Sequence, residues 1–195
     1  MKSPVRIAPI RIVMMFAVFA SSVIAQQRKE TSPDMSLCPM HAQSQSSQDQ
    51  HHQGQDQHHQ GVVKRGDEVM GFSHEKTTHH FRLYADGGAI EAEAKDAPDI
   101  ASRDQIRSHF GHIVTMFAAG DFSAPMLIHE QNPPGSEAMK RLRKAIEYKL
   151  ESTENGARIR ITTKDPDALR AVHEFLRFQI SDHQTGDSPE VTKAP

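Results

Sequence analysis

Phe81-Arg82-Leu83-Tyr84-Ala85-Asp86-Gly87-Gly88-Ala89-Ile90-Glu91-Ala92-Glu93-Ala94-Lys95-Asp96 is the stretch that decides the fold class. Apolar and polar residues alternate on both sides of Asp86-Gly87-Gly88, and such a step between two alternating runs is a β-hairpin signal. The pattern returns further along. Ile146-Glu147-Tyr148-Lys149-Leu150 leads to a turn at Glu154-Asn155-Gly156, and Arg158-Ile159-Arg160-Ile161-Thr162-Thr163-Lys164-Asp165 leads away from it. Both second strands end in Lys-Asp and run into a proline, Pro98 or Pro166.

A helix is expected behind each hairpin. The first starts at Ser102, with Gln105 three residues on as a capping box, and stops at Gly120. The second takes Asp165 as its N-cap and Pro166 at its first helical position, and runs through Ile180. The connector holds Pro125-Met126-Leu127-Ile128-His129, a Pro133-Pro134-Gly135 break and a short helix from Ser136 to about Lys144. The chain therefore reads as an α+β domain of two ββα units, packing an antiparallel sheet against helices. Internal duplication explains the likeness of the two halves; chance similarity between two amphipathic hairpin–helix units is the alternative.

Working outward, the domain is expected over residues 63–187, a common size for one domain. Residues 188–195 read as a disordered tail. Residues 26–62 are poor in apolar side chains and rich in Gln, Ser, His and Asp, too polar to offset the entropy of ordering, so they read as a disordered arm. Residues 1–25 read as a cleaved signal peptide. Lys2, Arg6 and Arg11 precede an apolar run from Ile12 to Ala20, and Ser21-Ser22-Val23-Ile24-Ala25 supplies small residues for cleavage. The apolar run is short for a membrane span of about 20 residues. The expected location is the periplasm or the exterior, with no stable membrane insertion after cleavage.

Cleavage would remove three of the 23 basic side chains and none of the 25 acidic ones, leaving a net charge of −5 with His neutral. That argues against a nucleic-acid partner, which needs a positive field. Cys38 is the single cysteine, so no internal disulfide can form.

Histidine is the outlier, with thirteen residues. Cys38-Pro39-Met40-His41 places thiol, thioether and imidazole side by side, a set that suits Cu(I). This segment resembles the Cys-Pro-Met-His motif of the heavy-metal-binding module of metal-efflux proteins, although Ser36-Leu37 replace the aromatic residue and Thr that usually precede it. His51-His52 and His58-His59 lie in a near-repeat, His-His-Gln-Gly, and paired imidazoles in a flexible arm can gather around Cu(II), Ni(II) or Zn(II).

Within the domain, His74, His79 and His80 cluster before and in the first strand. Alternation puts His79 on the side of Phe81 and Leu83, and His80 on the open face with Arg82 and Tyr84. On the first helix Ile106, Phe110, Ile113 and Phe117 form the core stripe, and His109 and His112, three apart, can reach toward one ion. Met116, Met126 and His129 lie near that helix and its exit. His173 reads as a hydrogen-bonded core residue, and His183 as a partner of the helix dipole.

The stretch from Lys64 to Asp187 resembles a family of uncharacterised exported bacterial proteins. The residues that carry the likeness are Met70-Gly71-Phe72, Lys76-Thr77-Thr78-His79-His80-Phe81, Ala124-Pro125-Met126, Pro133-Pro134-Gly135, and Phe175-Leu176-Arg177-Phe178-Gln179-Ile180 through His183. The resemblance implies domain boundaries and brings no activity with it.

The leading expectation is an exported metal-binding protein for copper or zinc, with a role in metal handling or tolerance. Its ligand candidates are Cys38, Met40, His41, His51, His52, His58, His59, His74, His79, His80, His109 and His112. The alternative is an interaction module for a small molecule or protein, contacting it through His80, Arg82 and Tyr84. An enzyme using His79 or His80 as acid or base ranks third, because no phosphate loop, nucleophile elbow or cysteine nucleophile is present.

Overall fold

A computed structural model describes residues 56–195. The signal segment and the motifs at Cys38, Met40, His41, His51 and His52 lie outside the described residues. Helix α1 covers residues 56–70. It is followed by β1 (Thr77–Tyr84), β2 (Gly87–Ala94), α2 (Ile100–Ala119), α3 (Ser123–His129) and α4 (Ser136–Arg141). A single 3-10 turn leads into β3 (Ile146–Ser152), then β4 (Gly156–Thr163), α5 (Pro166–His183) and β5 (Val191–Thr192). This is an α+β fold with one five-stranded sheet in the order β3-β4-β2-β1-β5. Among the described residues no helix is long and apolar enough to cross a membrane.

The two hairpins join through their second strands, β2 antiparallel to β4. Register aligns the apolar positions in rows across the sheet. Phe81 pairs with Ile90, Ile90 with Ile159 and Ile159 with Leu150. Leu83 lies beside Gly88, Gly88 beside Ile161 and Ile161 beside Tyr148. Gly88 is where this face meets α5 most closely, since a Cβ there would collide with Leu176. Helix α2 lies over β2, β3 and β4, and α5 over β1, β2 and β4. The core between them is aliphatic with a knot of aromatic rings, Phe117 stacking on Phe122 at 4.6 Å and meeting Phe175 edge-on at 5.9 Å.

The opposite face is a lattice of charge. Glu91 accepts a hydrogen bond from Arg158 at 2.7 Å, and Arg160 lies 4.8 Å over the Tyr84 ring while pairing with Asp86. Alternation along each strand produces this division, because successive side chains leave opposite faces.

Helix ends follow local chemistry. Asp165 caps α5 by accepting from the N–H groups of Asp167 and Ala168, and Pro166 opens it, as its sequence predicts. Helix α2 begins earlier than the Ser102–Gln105 box predicts. Asp99 is the cap, accepting from the N–H and hydroxyl of Ser102. A carboxylate is the stronger acceptor here, so Ser102 becomes its donor within the first turn. Gly120 ends α2 in the left-handed region at φ 81°, as expected from Gly at that position.

Both domain boundaries need correction. Residues 56–62 are helical rather than part of the disordered arm. Val62 is fully buried, Arg65 donates to the Ile128 carbonyl at 2.7 Å, and His58 reaches Asp182 at 2.9 Å. These tertiary contacts order a segment whose composition alone would leave it loose. At the other end residues 188–195 are not all tail. Val191 and Thr192 pair parallel with Leu83 and Tyr84, which makes the sheet mixed rather than purely antiparallel.

Candidate functional site

Where α1, α2, α3 and α5 converge over β1, the core leaves a cavity of about 70 Å³. Its walls are apolar, with Phe81, Phe110, Phe117 and Phe175 prominent, yet His79, His109, His129, His183 and Gln179 also line it. Four imidazoles around one apolar space need a physical account, because polar groups out of water normally carry hydrogen-bond partners.

Two of these side chains are tied into a network. His129, 1% exposed, donates from Nδ1 to the Asp182 carboxylate at 2.5 Å, and its Nε2 faces Gln179 Oε1 at 3.0 Å. Asp182 also receives His58 Nε2 at 2.9 Å. Burial alone would raise the Asp182 carboxyl, but hydrogen bonds from His129 and His58 outweigh it and hold the group below the usual carboxylate range. Asp182 thus links α1, α3 and α5 at one point.

The others lack such support. His79 sits on the core side of β1, as alternation predicts, stacked on Phe72 with ring centres 5.6 Å apart. Its Nε2 is out of contact with solvent and has no hydrogen-bond partner. Burial, followed by the charge of His80, lowers its pKa to about 4. His183 lies 4.9 Å from His129 and 6.5 Å from His79, ring centre to ring centre. Burial, then the charges of His129 and His79, lowers its pKa to about 3. Both rings are therefore neutral near pH 7 and each has a nitrogen lone pair to offer. His109 meets Phe72 edge-on at 5.7 Å and is likewise shifted down, by burial first and His112 second. The Gln179 amide nitrogen, on a residue 4% exposed, also has no partner.

A groove of about 360 Å³ runs outside this cavity between α1, β1 and the end of α5. Met70, His79 and His183 line both spaces and so form the partition between them. His59, His74, His80 and Asp67 line the groove alone.

The expected ligand set divides accordingly. His79 and His109 reach the cavity, whereas His112 is exposed on α2. His74 is held by Asp67, Nδ1 to Oδ2 at 2.9 Å, and His80 by Asp187 at 3.0 Å. His74, His79, His80, His109 and His112 therefore do not make one shared site. Among the described residues no three His, Cys, Asp or Glu side chains group closely enough to hold a metal ion. The reason is local: β1 sends His79 and His80 to opposite faces, His74 and His80 pair with carboxylates, and His112 points away from the cavity. The contact surface foreseen at His80, Arg82 and Tyr84 is also engaged. Arg82 donates to Asp187 at 2.9 Å, and Tyr84 lies under Arg160. His58 and His59 belong to α1 and face Asp182, through Oδ1 and the backbone carbonyl respectively.

His129, Gln179 and His183 were not among the expected site residues. A signal existed for the last two. Gln179 lies in the buried stripe of Val172, Phe175 and Leu176 on α5, where a polar residue is out of place, and His183 follows one turn later at a half-buried position. His173, by contrast, is a satisfied histidine, its Nε2–H donating to the carbonyls of Tyr84 and Gly87. The chain matches no protein-family model, no curated protein and no solved structure.

Proposed function

We propose that this protein binds a transition-metal ion outside the cytoplasm and takes part in handling it. The observation that carries the reading is His79 Nε2, buried and unpartnered on a ring held neutral, beside a second neutral imidazole at His183. Metal ligation requires a deprotonated nitrogen. These two rings keep one even in mild acid, where an ordinary imidazole of pKa 6.5 becomes charged. The sequence supports a second, collecting element in the arm, where Cys38, Met40, His41, His51 and His52 supply soft and borderline donors. The signal-like first 25 residues support the extracytoplasmic setting.

Calorimetric titration of Cu(I), Cu(II) and Zn(II) into the full mature chain tests this reading. Binding of at least one ion far tighter than free histidine is expected. Affinity no better than free histidine for all three would overturn it.

A second reading has its own support in the Gln179 amide nitrogen, an orphan donor within apolar walls. A small uncharged molecule with one acceptor oxygen would satisfy it, as pockets with few convergent polar groups commonly do. Short alcohols that perturb the amide resonances of α5 and β1 in wild type, but not in Gln179→Leu, would favour this reading over the first.

A further inference from the structure

Three side chains, Met70 at the end of α1, His79 in β1 and His183 at the end of α5, come from different elements and stand together between the apolar cavity and the outer groove. Each brings a donor: a thioether sulfur and two imidazole nitrogens. The imidazole and thioether set is the one that soft Cu(I) accepts. Zn(II) asks for a tetrahedron of nitrogen, oxygen and thiolate ligands. The described residues group no three His, Cys, Asp or Glu side chains for that purpose.

From this placement we infer that Met70, His79 and His183 form a Cu(I) site of low coordination number, closed on its inner side by the apolar cavity. The inference rests on the metal-handling reading and specifies the ion and its ligands.

Two imidazoles sharing one ion through metal–nitrogen bonds of about 2 Å hold their ring centres roughly 5–6 Å apart. The His79 and His183 ring centres are 6.5 Å apart and the rings are stacked with planes 13° from parallel, so both must turn and draw closer for their lone pairs to meet on one ion. The surroundings support the assignment. His79 Nε2 has no competing partner, whereas the other groove imidazoles are engaged, His74 by Asp67, His80 by Asp187 and His59 by the Asp182 carbonyl. Phe72 stacked on His79 and Phe81 stacked on His183, the latter at 5.6 Å, give the two rings apolar cover. The apolar inner wall keeps water from the ion on that side, and exclusion of water favours the lower oxidation state, which carries less charge to desolvate.

The arm provides a separate set of ligands, so the test must resolve the two. Anaerobic competition of the full mature chain against a chromogenic Cu(I) chelator gives stoichiometry and affinity. Wild type, His79→Phe, His183→Phe, Met70→Leu, and the arm variant Cys38→Ser/Met40→Leu/His41→Ala are compared. His79→Phe and His183→Phe are each expected to weaken one equivalent by at least about 100-fold, since even outer-shell changes cost 10–100-fold. Met70→Leu, which keeps shape and apolarity, is expected to weaken the same equivalent about 10-fold. The arm variant should leave it intact. X-ray absorption of the arm variant loaded with one Cu(I) should report two nitrogen scatterers and one sulfur.

Unchanged Cu(I) binding in His79→Phe and His183→Phe, each folded by circular dichroism, would overturn the assignment while leaving metal handling by the arm in place. Absence of sulfur in the absorption spectrum would overturn it too, as would Zn(II) bound at least as tightly by the same three residues. No ion bound by wild type at all defeats the broader reading as well, so the two failures are told apart.

Discussion

His79 and His80 are neighbours in sequence and opposites in chemistry. On the open face of the sheet, His80 meets Asp187, which also accepts from the Phe81 N–H, the Thr185 hydroxyl and Arg82. On the core face, His79 lies among aromatic rings with a nitrogen that nothing satisfies. Burial of Asp187 would by itself raise its carboxyl. The Phe81 N–H, then Thr185, His80 and Arg82, outweigh burial and hold it low. The contrast teaches that abundance of histidine is a poor guide to a site. A partnered imidazole serves structure, and an unpartnered neutral one is left with a lone pair to offer.

Breaking the satisfied side should have the largest effect. Asp187→Ala removes the acceptor shared by Phe81, His80 and Arg82, on a side chain 5% exposed. Loss of one partner of such a buried charged network costs about 3–5 kcal/mol, and urea unfolding should report it as a lower midpoint.

Acid sharpens the comparison. His79 and His183 have folded pKa values of about 4 and about 3, below the unfolded value of 6.5. Between those limits the unfolded chain binds more protons, so stability falls as pH drops from about 7 toward 4. Asp182 and Asp187 are also shifted down, but their contribution is present above the unfolded carboxylate value of 3.8 and is lost only as pH falls below that. A thermal melting series should drop by about 5 °C or more between pH 7 and 5, and the His79→Phe/His183→Phe double variant should flatten that segment.

A smaller effect is expected at the link between the two kinds of histidine. Asp182→Ala strands His129 and frees His58, at a cost of about 2 kcal/mol. Hydrogen exchange should then show protection lost in residues 58–66 ahead of the sheet. The smallest change is predicted for His79→Phe alone at pH 7. Removing an orphan polar atom offsets the change of shape, so stability should stay within about 1 kcal/mol of wild type while the proposed Cu(I) site is lost.

The hairpins were legible because period-two alternation and Gly-containing turns are local signals, and Asp165-Pro166 marked the start of α5 for the same reason. The sheet order was not, since nothing in either hairpin states that β2 and β4 will be the joined pair. Helix α1 was missed because its ordering depends on Asp182 and Ile128, distant in sequence. At the site, alternation placed His79 inward and His80 outward correctly. His183 escaped because the helix dipole offered it an adequate role, and His129 because its context offered no more than nearness to the exit of α2; packing turns both onto the same cavity as His79.

The parallel pairing of Val191 and Thr192 with β1 has a consequence for how the molecule avoids its own kind. A sheet margin with free N–H and C=O groups invites another chain to add itself. On the β3 margin Glu147, Lys149 and Glu151 present charges that discourage such addition. On the β1 margin Val191 and Thr192 lie alongside Leu83 and Tyr84 like a selvedge, and Asp187 takes the Phe81 N–H. Trimming the chain after Glu190, or fusing bulk close behind Thr192, would uncover Leu83 and Tyr84 and ease self-association at that margin.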